Sequence, residues 1–166
     1  MNIAGTEFNL KHNALEIYIS GCKGHPCEGC HNQELWDFNV GDELDDNFLR
    51  KIENLVKDSG GLIKKIWILG GEPLDNDISS LLGLVAYIRN HIKIDELWLW
   101  TRKGLNDIPV SLLYFITHVK CGMYIKDMKP ITYDEYDITL ASFNQRIYRV
   151  KDVLGELVEV NKKTGS

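Results

Sequence analysis

Three of the four cysteines lie close together in the sequence, at Cys22, Cys27 and Cys30. Thiolates at this spacing can converge on one metal centre, and His25 and His31 could add a further ligand. Cytosolic proteins rarely expose clustered reactive thiols without a use for them. The cluster therefore predicts metal or redox chemistry, and Cys27 with Cys30 is not expected to act alone as a C-x-x-C pair.

The residues of this loop leave two kinds of metal site open. A Cys3His set with His25 or His31 is common in zinc sites. A [4Fe–4S] cluster usually takes four Cys ligands, so three thiolates would leave one iron open to bind a substrate. An open position is typical of a catalytic metal site. The fourth cysteine, Cys121, lies in an apolar stretch and is predicted to be a core residue.

The periodicity of apolar residues predicts alternating strands and helices around this loop. The predicted strands span 15–20, 63–69, 96–101 and 119–125, with two shorter ones at 138–141 and 146–150. The predicted helices span 45–59, 77–92 and 110–116, with Asp75 or Asp77 as the N-cap of the second. Trp67, Trp98 and Trp100 fall in or near strands and are expected mainly in the core.

Strand–helix alternation is typical of a parallel sheet with helices packed on it. A complete eightfold βα barrel needs about 250 residues, and this chain has 166. We therefore expect an α/β fold, an open, partial TIM-type βα barrel of about five or six mainly parallel strands. Residues 1–160 are predicted to form one domain and 161–166 a polar tail.

Two unusual motifs each follow the end of a predicted strand. The cysteine loop follows the first predicted strand, and Gly70-Gly71-Glu72-Pro73 follows the second. Because active sites of such folds lie at the carboxyl ends of the strands, both motifs are expected at the same rim.

Charge and composition indicate which partners and which cell compartment to expect for this protein. The net charge of −5 and the pI of about 5.5 argue against general nucleic-acid binding, which needs clustered Lys and Arg. The sequence contains no apolar run long enough to span a membrane. We expect no signal peptide and therefore a cytoplasmic protein without a membrane span. Haem attachment at Cys27-Glu-Gly-Cys30-His31 normally follows export and is therefore disfavoured.

The motifs together resemble the radical SAM superfamily, and within it the activating enzymes of anaerobic, class III ribonucleotide reductase. The resemblance spans about residues 10 to 150. The segments that carry it are Gly21-Cys22, Cys27-Glu-Gly-Cys30-His31-Asn32, Trp36-Asp37-Phe38, Leu69-Gly70-Gly71-Glu72-Pro73-Leu74 and Ser142-Phe-Asn144-Gln145-Arg146-Ile147. The chain departs from the usual Cys-x3-Cys-x2-Cys spacing by one extra residue before Cys27. We predict that a local bulge absorbs it and that His25 points outward.

The resemblance implies a [4Fe–4S] cluster and S-adenosylmethionine (SAM) as cofactors. Cys22, Cys27 and Cys30 would hold three irons, and the fourth iron would bind the amino and carboxylate groups of SAM. Gly29 and His31 would lie near the adenine, and Gly70, Gly71 and Glu72 near the methionine end. Reductive cleavage of SAM would give a 5'-deoxyadenosyl radical, which takes a hydrogen atom from a glycine of the partner.

The partner implied is the catalytic subunit of the anaerobic ribonucleotide reductase, with an electron donor such as flavodoxin. Two alternatives remain open from the sequence: a radical SAM enzyme acting on another substrate, and a zinc-binding interaction module. Asn144, Gln145 and Arg146 could contact the partner or the cofactor, or could cap a strand.

Overall fold

A mixed β-sheet with helices on one face organises the chain. The computed structural model of the protein describes residues 1–24 and 27–152. Within them, seven strands form one sheet in the order β3-β1-β2-β4-β5-β6-β9, and β7 pairs with β8 in a separate hairpin. The strands are β1 Asn2–Asn9, β2 Ala14–Ile19, β3 Asp42–Glu43, β4 Lys65–Gly70, β5 Glu96–Trp100, β6 His118–Cys121, β7 Ile131–Tyr133, β8 Ile138–Leu140 and β9 Arg146–Arg149.

The helices begin close to the positions that the sequence predicts. The α-helices are α1 Asp46–Asp58, α2 Ile78–His91 and α3 Val110–Leu113. Asp45 and Asp77 cap the first two, accepting hydrogen bonds from the backbone N–H groups of Phe48 and Ser80. The prediction of Asp77 as an N-cap is therefore confirmed, and Asp75 has another role. Short 3-10 helices occupy Gln33–Leu35, Pro73–Asp75 and Leu105–Asp107.

Four neighbouring strands in the middle of the sheet run parallel. β2, β4, β5 and β6 pair in parallel, whereas β1, β3 and β9 join antiparallel at the two edges. The carboxyl ends of the four parallel strands therefore meet at one rim.

The described part of the sheet has seven strands where the sequence suggests five or six. The difference lies at the N-terminus, where β1 folds back on β2 as a hairpin and β3 extends the edge. Only Ile3 of β1 is buried, because β1 lies next to the short edge strand β3 and needs little apolar surface there. Its sequence therefore gives a weak signal. The partial barrel remains a prediction, as does the single domain, and the tail at 161–166 lies outside the described residues.

The two faces of the sheet carry different cores. Helices α1, α2 and α3 cover one face over an aliphatic core that includes Ile66, Ile68 and Leu99. On the other face Trp67 and Trp98 pack beneath the β7–β8 hairpin. The expectation of core tryptophans is confirmed for these two, whereas Trp100 is only half-buried. No helix within the described residues is long and apolar enough to cross a membrane.

The N-cap of α1 allows a direct test of the local structure. We expect Asp45→Ala to lower the free energy of unfolding by about 1 kcal/mol, because it leaves a backbone N–H of the first turn without its partner. Urea unfolding of the protein measures this change. The matched control is Asp58→Ala at the opposite end of α1, where an exposed carboxylate opposes the helix dipole and its removal costs nothing. Equal losses in both variants would contradict the cap.

Candidate metal centre

The cysteine loop is tied at its start to a segment that follows it in sequence. After β2 ends, Gly21 N donates to Leu35 O at 2.8 Å and Cys22 N donates to Trp36 O at 3.1 Å. Gly21 has a φ of +101°, and a Cβ at this position would lie 2.0 Å from the Phe38 ring. The Phe38 ring therefore packs directly on Gly21, where the cysteine loop begins. Only glycine fits at position 21.

Cys27 and Cys30 lie at the two ends of one tight turn. Cys30 N donates to Cys27 O at 3.2 Å, and Gly29 between them has a φ of +73°, the conformation that the third position of such a turn requires. Asn32 N lies 3.4 Å from Cys30 Sγ. Backbone N–H groups that donate to a cysteine sulfur stabilise its thiolate form, so this turn is suited to hold ligands.

All three cysteines are free, and the structure brings two of them to one cavity. Cys22 is buried, whereas Cys27 and Cys30 are half-buried and line a cavity of about 320 Å³. No three His, Cys, Asp or Glu side chains of the described residues are grouped to hold a metal ion. Convergence of the three thiolates is therefore a prediction. His25 lies outside the described residues, as does the predicted bulge around it.

The donor set fits an iron–sulfur cluster. Three Cys on one loop are the ligands that such clusters use, and two cations, Arg102 and Lys120, lie close enough to influence their charge. Burial raises the pKa of Cys22, and a hydrogen bond with Arg102 opposes that effect. Burial likewise raises the pKa of Cys27, against a backbone hydrogen bond from Tyr124. Cluster binding would therefore displace protons from these thiols.

The Gly70-Gly71-Glu72 segment lies directly against the root of the cysteine loop. Gly71 N donates to Ile19 O at 2.9 Å, and Glu72 N donates to Gly21 O at 2.7 Å. A Cβ on Gly70 would lie 2.4 Å from Ile19 O, and one on Gly71 would lie 2.4 Å from Gly21 O. Both glycines are thus required by the neighbouring backbone, and both also line the cavity.

Glu72 is fully buried beside the end of β5. Its carboxylate accepts a hydrogen bond from the Thr101 hydroxyl and one from Arg102 N at 3.2 Å. Burial raises the pKa of Glu72, while these two hydrogen bonds lower it. The observed contacts make Glu72 a residue that fixes the end of β5, and contact with a cofactor remains a prediction.

His31 and Gly29 lie beside Tyr124, on the cysteine side of the cavity. The ring centroids of His31 and Tyr124 are 5.4 Å apart, and both residues line the cavity. A Cβ on Gly29 would lie 3.8 Å from the Tyr124 ring. The structure thus places His31 at the cavity and Gly29 beside Tyr124, and contact of either residue with the adenine remains a prediction.

Lys120 on β6 is a cavity residue that the sequence analysis missed. Its Nζ donates to Gly122 O at 3.1 Å, and the side chain lines the cavity with Thr101 and Trp100. Burial lowers the pKa of Lys120, and the carboxylate of Glu72 opposes that effect. The sequence offered one signal for this residue, a charged side chain inside an apolar predicted strand. Such a position indicates a functional or paired lysine, because lysine is rarely buried without a partner.

The Asn144-Gln145-Arg146 segment anchors the loop after β6. Asn144 Nδ2 donates to Met123 O at 2.9 Å, and Gln145 Nε2 donates to Gly122 O at 3.1 Å. Arg146 Nη1 donates to Gln145 O at 3.0 Å. These contacts favour the structural alternative of the sequence analysis for all three, although Gln145 also reaches the cavity.

Cys121 is separate from the cysteine loop. It lies on β6, where it is buried among aliphatic residues, as its apolar sequence context predicts. Burial raises the pKa of its thiol to about 12, so it remains protonated at neutral pH.

Comparisons with known proteins agree with this donor set. The model of a family described as a 4Fe-4S single cluster domain matches residues 13–148. The chain is 29% identical over 139 residues to the anaerobic ribonucleoside-triphosphate reductase-activating protein of Haemophilus influenzae, covering 81% of this chain and 86% of that protein. The protein of the same name from Escherichia coli K12 is 26% identical over 81% of this chain and 87% of its own length.

A phage protein extends the same relationship. The anaerobic ribonucleoside-triphosphate reductase-activating protein of Enterobacteria phage T4 is 25% identical over 114 residues, which cover 68% of this chain and 71% of the phage protein. No solved structure matches the chain.

The close approach at Gly70 predicts a large effect of one added methyl group. We expect Gly70→Ala to lower the free energy of unfolding by more than about 2 kcal/mol, because it combines a φ of +123° with overlap on Ile19. Gly83→Ala in the exposed part of α2 is the control, since its Cβ meets nothing within 4 Å. It should raise stability by about 0.5–1 kcal/mol. Urea unfolding compares them, and a mild effect at Gly70 would argue against the stated packing.

Proposed function

Because the chain belongs to the family of 4Fe-4S single cluster domains, we propose that it activates an anaerobic ribonucleoside-triphosphate reductase through one such cluster. The match over residues 13–148 carries this conclusion. The activating proteins of Haemophilus influenzae and Escherichia coli, which this chain resembles over most of both lengths, support the choice of reductase as the target.

Cys22, Cys27 and Cys30 hold the cluster in this proposal. Their place at the carboxyl end of β2, next to the Gly70-Gly71 segment, is where ligands bind in parallel α/β sheets. The fourth position stays open, because Cys121 is buried in β6 and is not part of the loop.

The neighbouring cavity is the proposed site for SAM. Its volume of about 320 Å³ is within the range of small-molecule sites. Gly70 and Gly71 line this cavity, as do His31 and Tyr124. In the proposed binding mode the glycines border the methionine end, and His31 lies near the adenine.

When bound, the cluster and SAM supply the one-electron chemistry that generates a glycyl radical on the reductase. The chain's own residues bind the cofactors and limit access of water. Phe38 packs over the start of the cysteine loop, and the β8 residues Thr139 and Leu140 line the cavity. We further propose an open, partial βα barrel, a cytoplasmic location and an electron donor such as flavodoxin.

The cluster is tested by anaerobic reconstitution of the full chain. We expect about four iron and four sulfide per chain with broad visible absorbance. Ala in place of Cys22, Cys27 or Cys30 should abolish cluster-dependent SAM cleavage, measured as methionine released. Cys121→Ala is the matched control and should retain cleavage, with only a loss of stability from a small void. Stoichiometric zinc and a colourless protein would refute the proposed cofactor.

The target is tested with the reductase of the same source. With SAM and a strong reductant, the reconstituted protein should produce a glycyl-radical signal in the electron paramagnetic resonance spectrum of the reductase. The Cys27→Ala variant should produce none, because its cluster lacks a ligand. SAM cleavage without any such radical would indicate a different substrate.

A further inference from the structure

Arg102 lies between the first cysteine of the loop and a buried carboxylate. Its Nη2 donates to Asp75 Oδ2 at 2.9 Å and approaches Lys23 O at 3.4 Å. Burial raises the pKa of the Cys22 thiol, and the nearby Arg102 guanidinium opposes that rise. Arg102 also lines the cavity together with Cys27 and Cys30. A permanent positive charge is thus held against a proposed cluster ligand.

Asp75 is the centre of the network that holds this charge. Its side chain is only 4% exposed. Besides Arg102, it accepts hydrogen bonds from the backbone N–H of Lys23 at 2.9 Å and from Lys103 Nζ at 2.9 Å. Burial would raise the pKa of Asp75, but these three contacts keep it below the usual value. The carboxylate is therefore ionised at neutral pH.

Within the ion pairs of Asp75, the positive charges outnumber the negative charge. Arg102 and Lys103 contribute two positive charges and Asp75 one negative charge, beside the residues that follow Cys22. Arg102 also has a buried Nε that no group of the described residues accepts. A half-buried guanidinium with spare donor capacity is suited to face the additional negative charge of thiolate ligands and a cluster.

We propose that Arg102 is a positioning residue that raises the reduction potential of the bound cluster, and that Asp75 holds it at Cys22 while offsetting part of its charge. The inference rests on the proposed function, since it requires a cluster on Cys22. Charges and hydrogen bonds around the cysteine sulfurs set the potential of iron–sulfur clusters. Reduction adds one electron, and a nearby cation stabilises the added negative charge.

The backbone at position 102 is held independently of this side chain. Arg102 N donates to Glu72 Oε2 at 3.2 Å, and Thr101 donates to the other oxygen of the same carboxylate. Replacement of the guanidinium therefore leaves the end of β5 anchored. Variants at position 102 are expected to fold and to assemble the cluster.

Three charge variants of the reconstituted protein test the proposal, with the midpoint potential measured by dithionite titration under electron paramagnetic resonance. Arg102→Gln should shift the potential to more negative values. Asp75→Asn keeps the shape and the acceptor oxygen but removes the negative charge, and it should shift the potential to more positive values. Loss of a purely structural ion pair would move both variants in the same direction.

Lys103→Gln is the matched control, because it removes the same charge from the same carboxylate without a contact to Cys22. Its shift should be smaller than that of Arg102→Gln, and Arg102→Lys should restore most of the wild-type potential. Shifts of equal size at positions 102 and 103, or of the same sign in Arg102→Gln and Asp75→Asn, would overturn the proposal. Absence of a cluster in the unaltered protein would instead refute the proposed function.

Discussion

The contact between the ends of β2 and β4 is the constraint on which the site depends. The parallel pairing of these strands continues past their last residues through two backbone hydrogen bonds, from Gly71 to Ile19 and from Glu72 to Gly21. Glycines at positions 70 and 71 allow this approach, because a side chain at either would overlap the opposite backbone. The cysteine loop and one side of the cavity are thereby fixed relative to each other.

Two buried carboxylates, Glu72 and Asp75, are held by hydrogen bonds at the rim. Glu72 is held by Thr101 and the backbone of Arg102, and Asp75 binds the side chain of Arg102. Each buried carboxylate thus has several donors, as the cost of burying a charge requires. The consequence for function is that the end of β5 is fixed to the segment after β4, and a guanidinium is held beside Cys22.

One face of the sheet carries the aliphatic core, and the other face carries the cavity. The helices bury an aliphatic core on one face. The other face carries Trp67 and Trp98 under the β7–β8 hairpin, and it continues into the cavity through Trp100 and Lys120. Asn144 and Gln145, just before β9, donate hydrogen bonds to the loop after β6. A segment distant in sequence from the cysteines thus contributes to the same cavity through Gln145.

The sequence by itself determined the cysteine loop, the three helices, the four parallel strands and the convergence of two motifs at one rim. These features depend on local signals: cysteine spacing, apolar periodicity, and glycines after strands. Only the tertiary structure decided the roles of Asp75, Arg102 and Lys120. Their partners are far apart in sequence. The local sequence around a charged residue is the same whether its side chain faces solvent or a buried counter-charge. Strand β1 escaped prediction because it has one buried residue, Ile3, and therefore almost no apolar periodicity.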